Sequence, residues 1–216
     1  MMTDGEGDLV ERDLVGRAAA YARELHAGDT RKGTGVSYFA GHLAPVAQIV
    51  RDNGGDDVQV AAAYLHDAAE DHGGQARLED VRKEFGADVA TIVEHLSDSL
   101  VATDAGQVKE SWRIRKERYI ASLAHKPRRS LEVAAADKLH NASSIVADHR
   151  EIGDELWKRF TTSNPADHRW YYRSLADALH ERLPGHPTVA ALRETVDQLE
   201  RQLGGTGGAS DRMHEI

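Results

Sequence analysis

Two alanine runs, Ala61-Ala62-Ala63 and Ala134-Ala135-Ala136, lead straight into charged side chains. After the first comes Tyr64-Leu65-His66-Asp67-Ala68-Ala69-Glu70-Asp71-His72, and after the second Asp137-Lys138-Leu139-His140-Asn141-Ala142-Ser143-Ser144. Alanine is the strongest helix former, so both runs read as helices. Aspartate is rarely buried without a partner, so a fold packed around these segments must supply one. With about 100° per residue and His66 as origin, Glu70 falls at about 40°, Asp67 at about 100° and Asp71 at about 140°. Ala61, Ala62, Leu65, Ala68 and Ala69 fill the opposite arc, which gives the helix one small apolar half and one acidic half.

Two readings of the first segment stand side by side. It is a solvated acidic helix end, or it holds a cation that relieves the repulsion among three carboxylates. Acidic residues at a helix C-terminus oppose the helix dipole, which favours the second reading. In the other segment Asp137, Asn141 and Ser144 lie at i, i+4 and i+7 and form one polar stripe. Asp137 is read either as a cap or salt-bridged residue, paired with Lys138 or Arg150, or as a metal ligand. His42, at a helix start behind Tyr38-Phe39, is read as a structural histidine or a ligand. Two His and two Asp would suit one divalent ion of the Mn, Fe, Co or Zn type.

The rest of the chain also reads as helical, with 5 prolines and little β-branched alternation. A first helix ends near His26-Ala27-Gly28, and a glycine-punctuated loop follows over 28–35. Further helices are expected over about 42–52, 57–71 (stopped by Gly73-Gly74), 78–86, 88–96, 109–125, 130–149, through His180, and 188–203. The expected fold is all-α, a single domain of about eight to ten helices over 9–203. Residues 1–8 are expected to be a disordered N-terminus and 204–216 a disordered tail. The net charge of −9 argues against nucleic acid, the absence of cysteine excludes thiolate sites and disulfides, and no apolar stretch is long enough to span a bilayer. A cytoplasmic protein is expected. Its oligomeric state cannot be read from the sequence.

His42, His66-Asp67 and Asp137 match, in order and context, the H…HD…D pattern of the HD phosphohydrolase superfamily. Within it, the chain resembles the hydrolase domains of RelA/SpoT proteins and the small alarmone hydrolases over about 14–183. Arg31-Lys32 ahead of Tyr38-Phe39-Ala40-Gly41-His42, then His66-Asp67-Ala68-Ala69-Glu70-Asp71, Phe85-Gly86-Ala87-Asp88-Val89 and Ala136-Asp137-Lys138-Leu139-His140-Asn141, carry the resemblance. It implies an HD-type helical bundle in which His42, His66, Asp67 and Asp137 hold one metal ion. That ion is usually Mn²⁺, with other divalent ions as alternatives. It further implies that Glu70 and Asp71 activate water, that Arg31 and Lys32 contact a nucleotide, and that Asn141 and Ser144 line its pocket.

The implied reaction removes the 3′-pyrophosphate of guanosine tetra- or pentaphosphate. The alternatives are another nucleotide substrate (an adenosine alarmone, a nucleoside monophosphate or NADPH) and a non-catalytic nucleotide-binding module. The chain departs from the family pattern at Ala68-Ala69, at His72, at Leu43 in place of a proline, and in a longer loop between Arg31 and His42. No synthetase region is expected. The basic stretch Lys109, Arg113, Arg115, Lys116 and Arg118 is read as a solvated face or as a cover over the pocket mouth.

Overall fold

In the computed structural model the described residues are 5–31, 33–102, 106 and 108–205, with side chains described from 14 to 204. They form ten α-helices with no strands, apart from one isolated bridge between Thr30 and Ser37. α1 covers Gly5–Leu25, so it begins inside the segment expected to be disordered. A π-helical turn over Phe39–Leu43 leads into α2 (Ala44–Asp52), and α3 (Asp57–Leu65) and α4 (Ala68–Asp71) follow. Next come α5 (Gly74–Phe85), α6 (Ala87–Leu96) and α7 (Trp112–Ser122). The long α8 (Arg128–Ile152), a 3₁₀ segment (Gly153–Arg159), α9 (Pro165–Arg182) and α10 (Pro187–Gly205) complete the bundle.

Two cores share α8. The first, around α3, is packed largely by alanines: Ala18, Ala22, Ala47, Ala61, Ala62, Ala63, Ala68, Ala69, Ala90, Ala134 and Ala136. The second, around α9 and α10, buries Tyr119, Trp157, Tyr171 and Tyr172 among leucines and valines. Within α8, Val133, Ala134 and Ala136 face the first core, while Leu131, Ala135 and Ala142 face the second. Asp137, next in the chain, lies buried at the seam.

The expected helix bounds need correction in two places. The helix expected over 57–71 is interrupted at His66 and Asp67, where Asp67 takes φ −92° and ψ −5°. Consecutive residues of a regular helix point about 100° apart, and the interruption turns both side chains into one place. The stop at Gly73-Gly74 holds, since α4 ends at Asp71, but the next helix, expected from Leu78, already starts at Gly74. Gly74 has φ +60°, and a Cβ there would sit 2.4 Å from the Leu100 carbonyl oxygen. Glycine therefore lets the 97–102 segment close over the end of α4.

Candidate metal centre and active-site cleft

The interrupted helix, the π turn and α8 bring four predicted side chains together. His66 Nε2 lies 3.0 Å from Asp67 Oδ2 and 3.5 Å from Asp137 Oδ1. His42 Nε2 lies 3.4 Å and 3.3 Å from the same two oxygens. The two Nε2 atoms are 3.2 Å apart. Donor atoms of His42, His66 and Asp67 all fall within 4.8 Å of one another, as a shared ion requires, and Asp137 joins them through the imidazoles.

The surroundings fix which nitrogen faces inward. His66 Nδ1 donates to the Ala63 carbonyl at 2.8 Å, so Nε2 presents its lone pair to the cluster. His42 Nδ1 lies 2.9 Å from His140 Nδ1. Burial, the neighbouring His42 and the Arg31 charge push the His140 pKa down to about 4, so its neutral ring is able to accept a hydrogen bond from His42 Nδ1–H and leave His42 Nε2 to the cluster. Burial opposes charge at His66, yet Asp67 and Asp137 raise its pKa well above the ordinary value. The same burial would raise both aspartates, but the imidazoles, and for Asp137 chiefly Lys138, hold them well below the usual range. The cluster demands positive charge, which a divalent ion would supply with suitable nitrogen and oxygen donors.

Asp137 is also hydrogen bonded by Lys138 Nζ and Asn141 Nδ2, each at 2.6 Å. The Lys138 pairing offered by the sequence is therefore present together with the clustering, whereas Arg150 turns to Gln198. Tyr38 donates to Asp67 Oδ2 at 2.6 Å and fixes that carboxylate from the other side.

A cleft of about 290 Å³ opens beside this cluster and is lined by Arg31, Asp67, Glu70, Asp71, Asp137, Asn141 and Ser144 among others. Arg31 Nη2 donates to Asn141 Oδ1 at 3.0 Å, which ties its loop to the α8 stripe, and Ser144 Oγ donates to the His140 carbonyl at 2.9 Å. Lys32 lies outside the described residues. Burial and the carboxylates of Asp67 and Glu70 push Asp71 up to about 7, although it stands at the exposed rim of the cleft. Glu70 is raised by burial and by Asp98, against the pull of Lys116 and Lys109. Its Oε2 accepts the Asp98 backbone N–H at 3.2 Å.

The basic stretch does reach the cleft, and the sequence hid what offsets it. Arg115 and Lys116 both clamp Asp98, whose side chain is 3% exposed. Lys109 Nζ approaches Glu70, and Lys116 lines the cleft. Arg113 and Arg118 turn instead to Glu117 and Glu110 on the surface. No local spacing links Asp98 to this helix, so only the fold reveals it. Tyr38 and His140 stood inside the matched motifs without an assigned role. His72 faces away from the cleft, and its Nε2 meets Asp29 Oδ2 at 2.7 Å, an oxygen shared with His26 Nδ1 at 2.8 Å. His26, Asp29 and His72 form a second close group of donors.

The HD domain family matches residues 18–161, two-thirds of the sequence and all of the cluster. The chain belongs to the HD domain family. A protein of Xenopus tropicalis, the guanosine-3′,5′-bis(diphosphate) 3′-pyrophosphohydrolase MESH1, is 32% identical over 137 residues, covering 61% of this chain and 69% of the relative. A probable guanosine-3′,5′-bis(diphosphate) 3′-pyrophosphohydrolase of Synechocystis is 35% identical over 137 residues. The match takes in 62% of this chain but 17% of that relative, and the chain spans a similarly small share, 15–16%, of the Mycobacterium leprae and Streptomyces coelicolor relatives. Among solved structures, a metazoan ortholog of SpoT described as hydrolysing ppGpp superposes with a TM-score of 0.65 at 26% identity, covering 88% of this chain and 96% of that one. No helix of the described residues is long and apolar enough to cross a membrane.

Proposed function

We propose that this HD domain is a cytoplasmic, Mn²⁺-dependent hydrolase of guanosine tetra- and pentaphosphate that releases the 3′-pyrophosphate and leaves GDP or GTP. The observation that carries this reading is the meeting of His42, His66, Asp67 and Asp137 beside an Asp71 poised near neutrality. The likeness to relatives named for the same reaction supports it.

His42, His66, Asp67 and Asp137 would hold the ion. When bound, it would supply charge to offset the anionic phosphates and acidify water. Asp71, at about 7, is matched to taking a proton from water near neutral pH, with Glu70 orienting that water from its anchored position. Water oxygen adds to the phosphorus next to the 3′ oxygen as the phosphorus–3′ oxygen bond breaks, and the ribose oxygen leaves and takes up the proton that Asp71 removed from the water, becoming the 3′ hydroxyl. Lys116 and Lys138, both on the cleft wall, offer positive charge to the departing pyrophosphate. Arg31, held on Asn141, and Ser144 contact the nucleotide, and Lys32 takes part in the same contact.

The test measures phosphate products from a nucleotide panel, using chelated protein and protein resupplied with Mn²⁺. Pyrophosphate from 3′-pyrophosphorylated guanosine, dependent on the ion, is expected. Orthophosphate alone from other nucleotides, or binding without turnover, would overturn the reading.

A further inference from the structure

The polar stripe of α8 does not stop at Ser144. Asp137, Asn141, Ser144 and Asp148 recur at i, i+4, i+7 and i+11, and all four line the cleft. At 1.5 Å per residue, Asp148 stands about 16 Å along the helix from Asp137. There Arg159, the last residue of the 3₁₀ segment, donates from Nη1 to Asp148 Oδ2 at 3.3 Å. Asp148 Oδ1 has no partner among the described residues, and the side chain is 31% exposed.

Arg159 is itself wedged in place. It lies on Gly33, where a Cβ would come within 2.4 Å of its Nε, and Gly33 has φ +76°. Past the pair, a second cavity of about 320 Å³ includes Gly33 and Glu151 and shares both Asp148 and Arg159 with the cleft. The pair is thus the wall at the far end. Asp148 and Glu151 outweigh Arg159 there, whereas the near end carries Lys116 and Lys138 and, under the nucleotide reading, the ion held by the cluster around Asp137. A bound polyanion is steered to the metal end, which leaves a neutral, hydrogen-donating part of the ligand for Asp148.

We propose that Asp148, steadied by Arg159, reads the base of the substrate by accepting the N1–H and N2–H donors of a guanine ring. The inference rests on the nucleotide reading above and adds a specificity-determining residue to it. A carboxylate only accepts hydrogen bonds. Guanine offers it two adjacent donors. Hypoxanthine offers one, and adenine turns its own N1 lone pair towards the same oxygens.

The test compares kcat/KM for 3′-pyrophosphorylated guanosine, inosine and adenosine nucleotides in the wild type and in Asp148→Asn, with melting temperature as a folding control. Arg159→Gln serves as the second variant if Asp148→Asn melts early. In Asp148→Asn, guanosine kcat/KM is expected to fall about tenfold or more, through KM with kcat nearly unchanged, because the loss is of charged hydrogen bonds remote from the reacting phosphorus. The preference for guanine over hypoxanthine should collapse with it. An unchanged base preference in a folded variant, or an equal loss for all three bases, overturns the assignment of Asp148 while leaving the hydrolase reading intact. Failure of the wild type to release pyrophosphate from any of the three overturns that reading, and this inference with it.

Discussion

The two cores that meet on α8 are built from opposite materials. The first is lined by alanines, which bring backbones close and leave little slack around His42, His66 and Asp67. The second is lined by Trp157, Tyr171 and Tyr172, with Trp112 and Phe160 packed against it, and supplies the broad wall of the cleft. Small side chains let the backbones that carry the donor atoms approach one another closely. Large aromatic ones make a surface against which a ligand can lie. Under the proposed function the first core would hold an ion and the second would shape what lies beside it.

The most severe break of this comparison comes from the donors themselves. Asp67→Ala and Asp137→Ala are each expected to abolish bound Mn²⁺ and turnover together, read by metal analysis and product assay. Retained metal in either variant would remove that residue from the donor set. Next in size, Glu70→Gln and Asp71→Asn should keep the ion yet lose about 10²–10⁴-fold in kcat. Protonated Asp71 cannot accept a proton, so wild-type kcat should decline as pH falls through about 7 or somewhat lower, since a bound cation favours the carboxylate. Asp71→Asn should lose that acid limb.

Packing variants sharpen the contrast between the two halves. Leu179→Ala, in the aromatic core, should cost roughly 2–5 kcal/mol of stability while leaving metal affinity near wild type. Ala62→Leu, in the alanine core, should cost a smaller 1–3 kcal/mol or so but weaken metal binding, because the strain falls next to the donors. Denaturant unfolding and metal titration of the two variants would expose a reversed pattern. Smallest is Tyr38→Phe, which removes one hydrogen bond to Asp67 and should weaken metal binding by about 10–100-fold.

The helical class, the two acidic segments and the candidate residues that the fold brings together were legible because alanine runs followed by carboxylates are unusual and local. The geometry that makes them work was not. The interruption at His66-Asp67 is a backbone event with no residue signal beyond the motif itself, and a continuous helical wheel misplaces Asp67 relative to His66. The Asp98 clamp and the Arg159–Asp148 wall depend on contacts across 11 to 18 residues, which no periodicity announces. His72, a departure from the family pattern, braces the base of the loop that carries Arg31 through Asp29.

Asp137 follows a helical turn whose faces belong to different cores: Ala134 and Ala136 on one side, Ala135 on the other. Neither half can complete its interior without α8, so the two should lose structure as one cooperative unit. An ion gripped at the seam, as the proposed function has it, would act on the folding equilibrium of the whole chain, and its withdrawal would be felt as far away as α10.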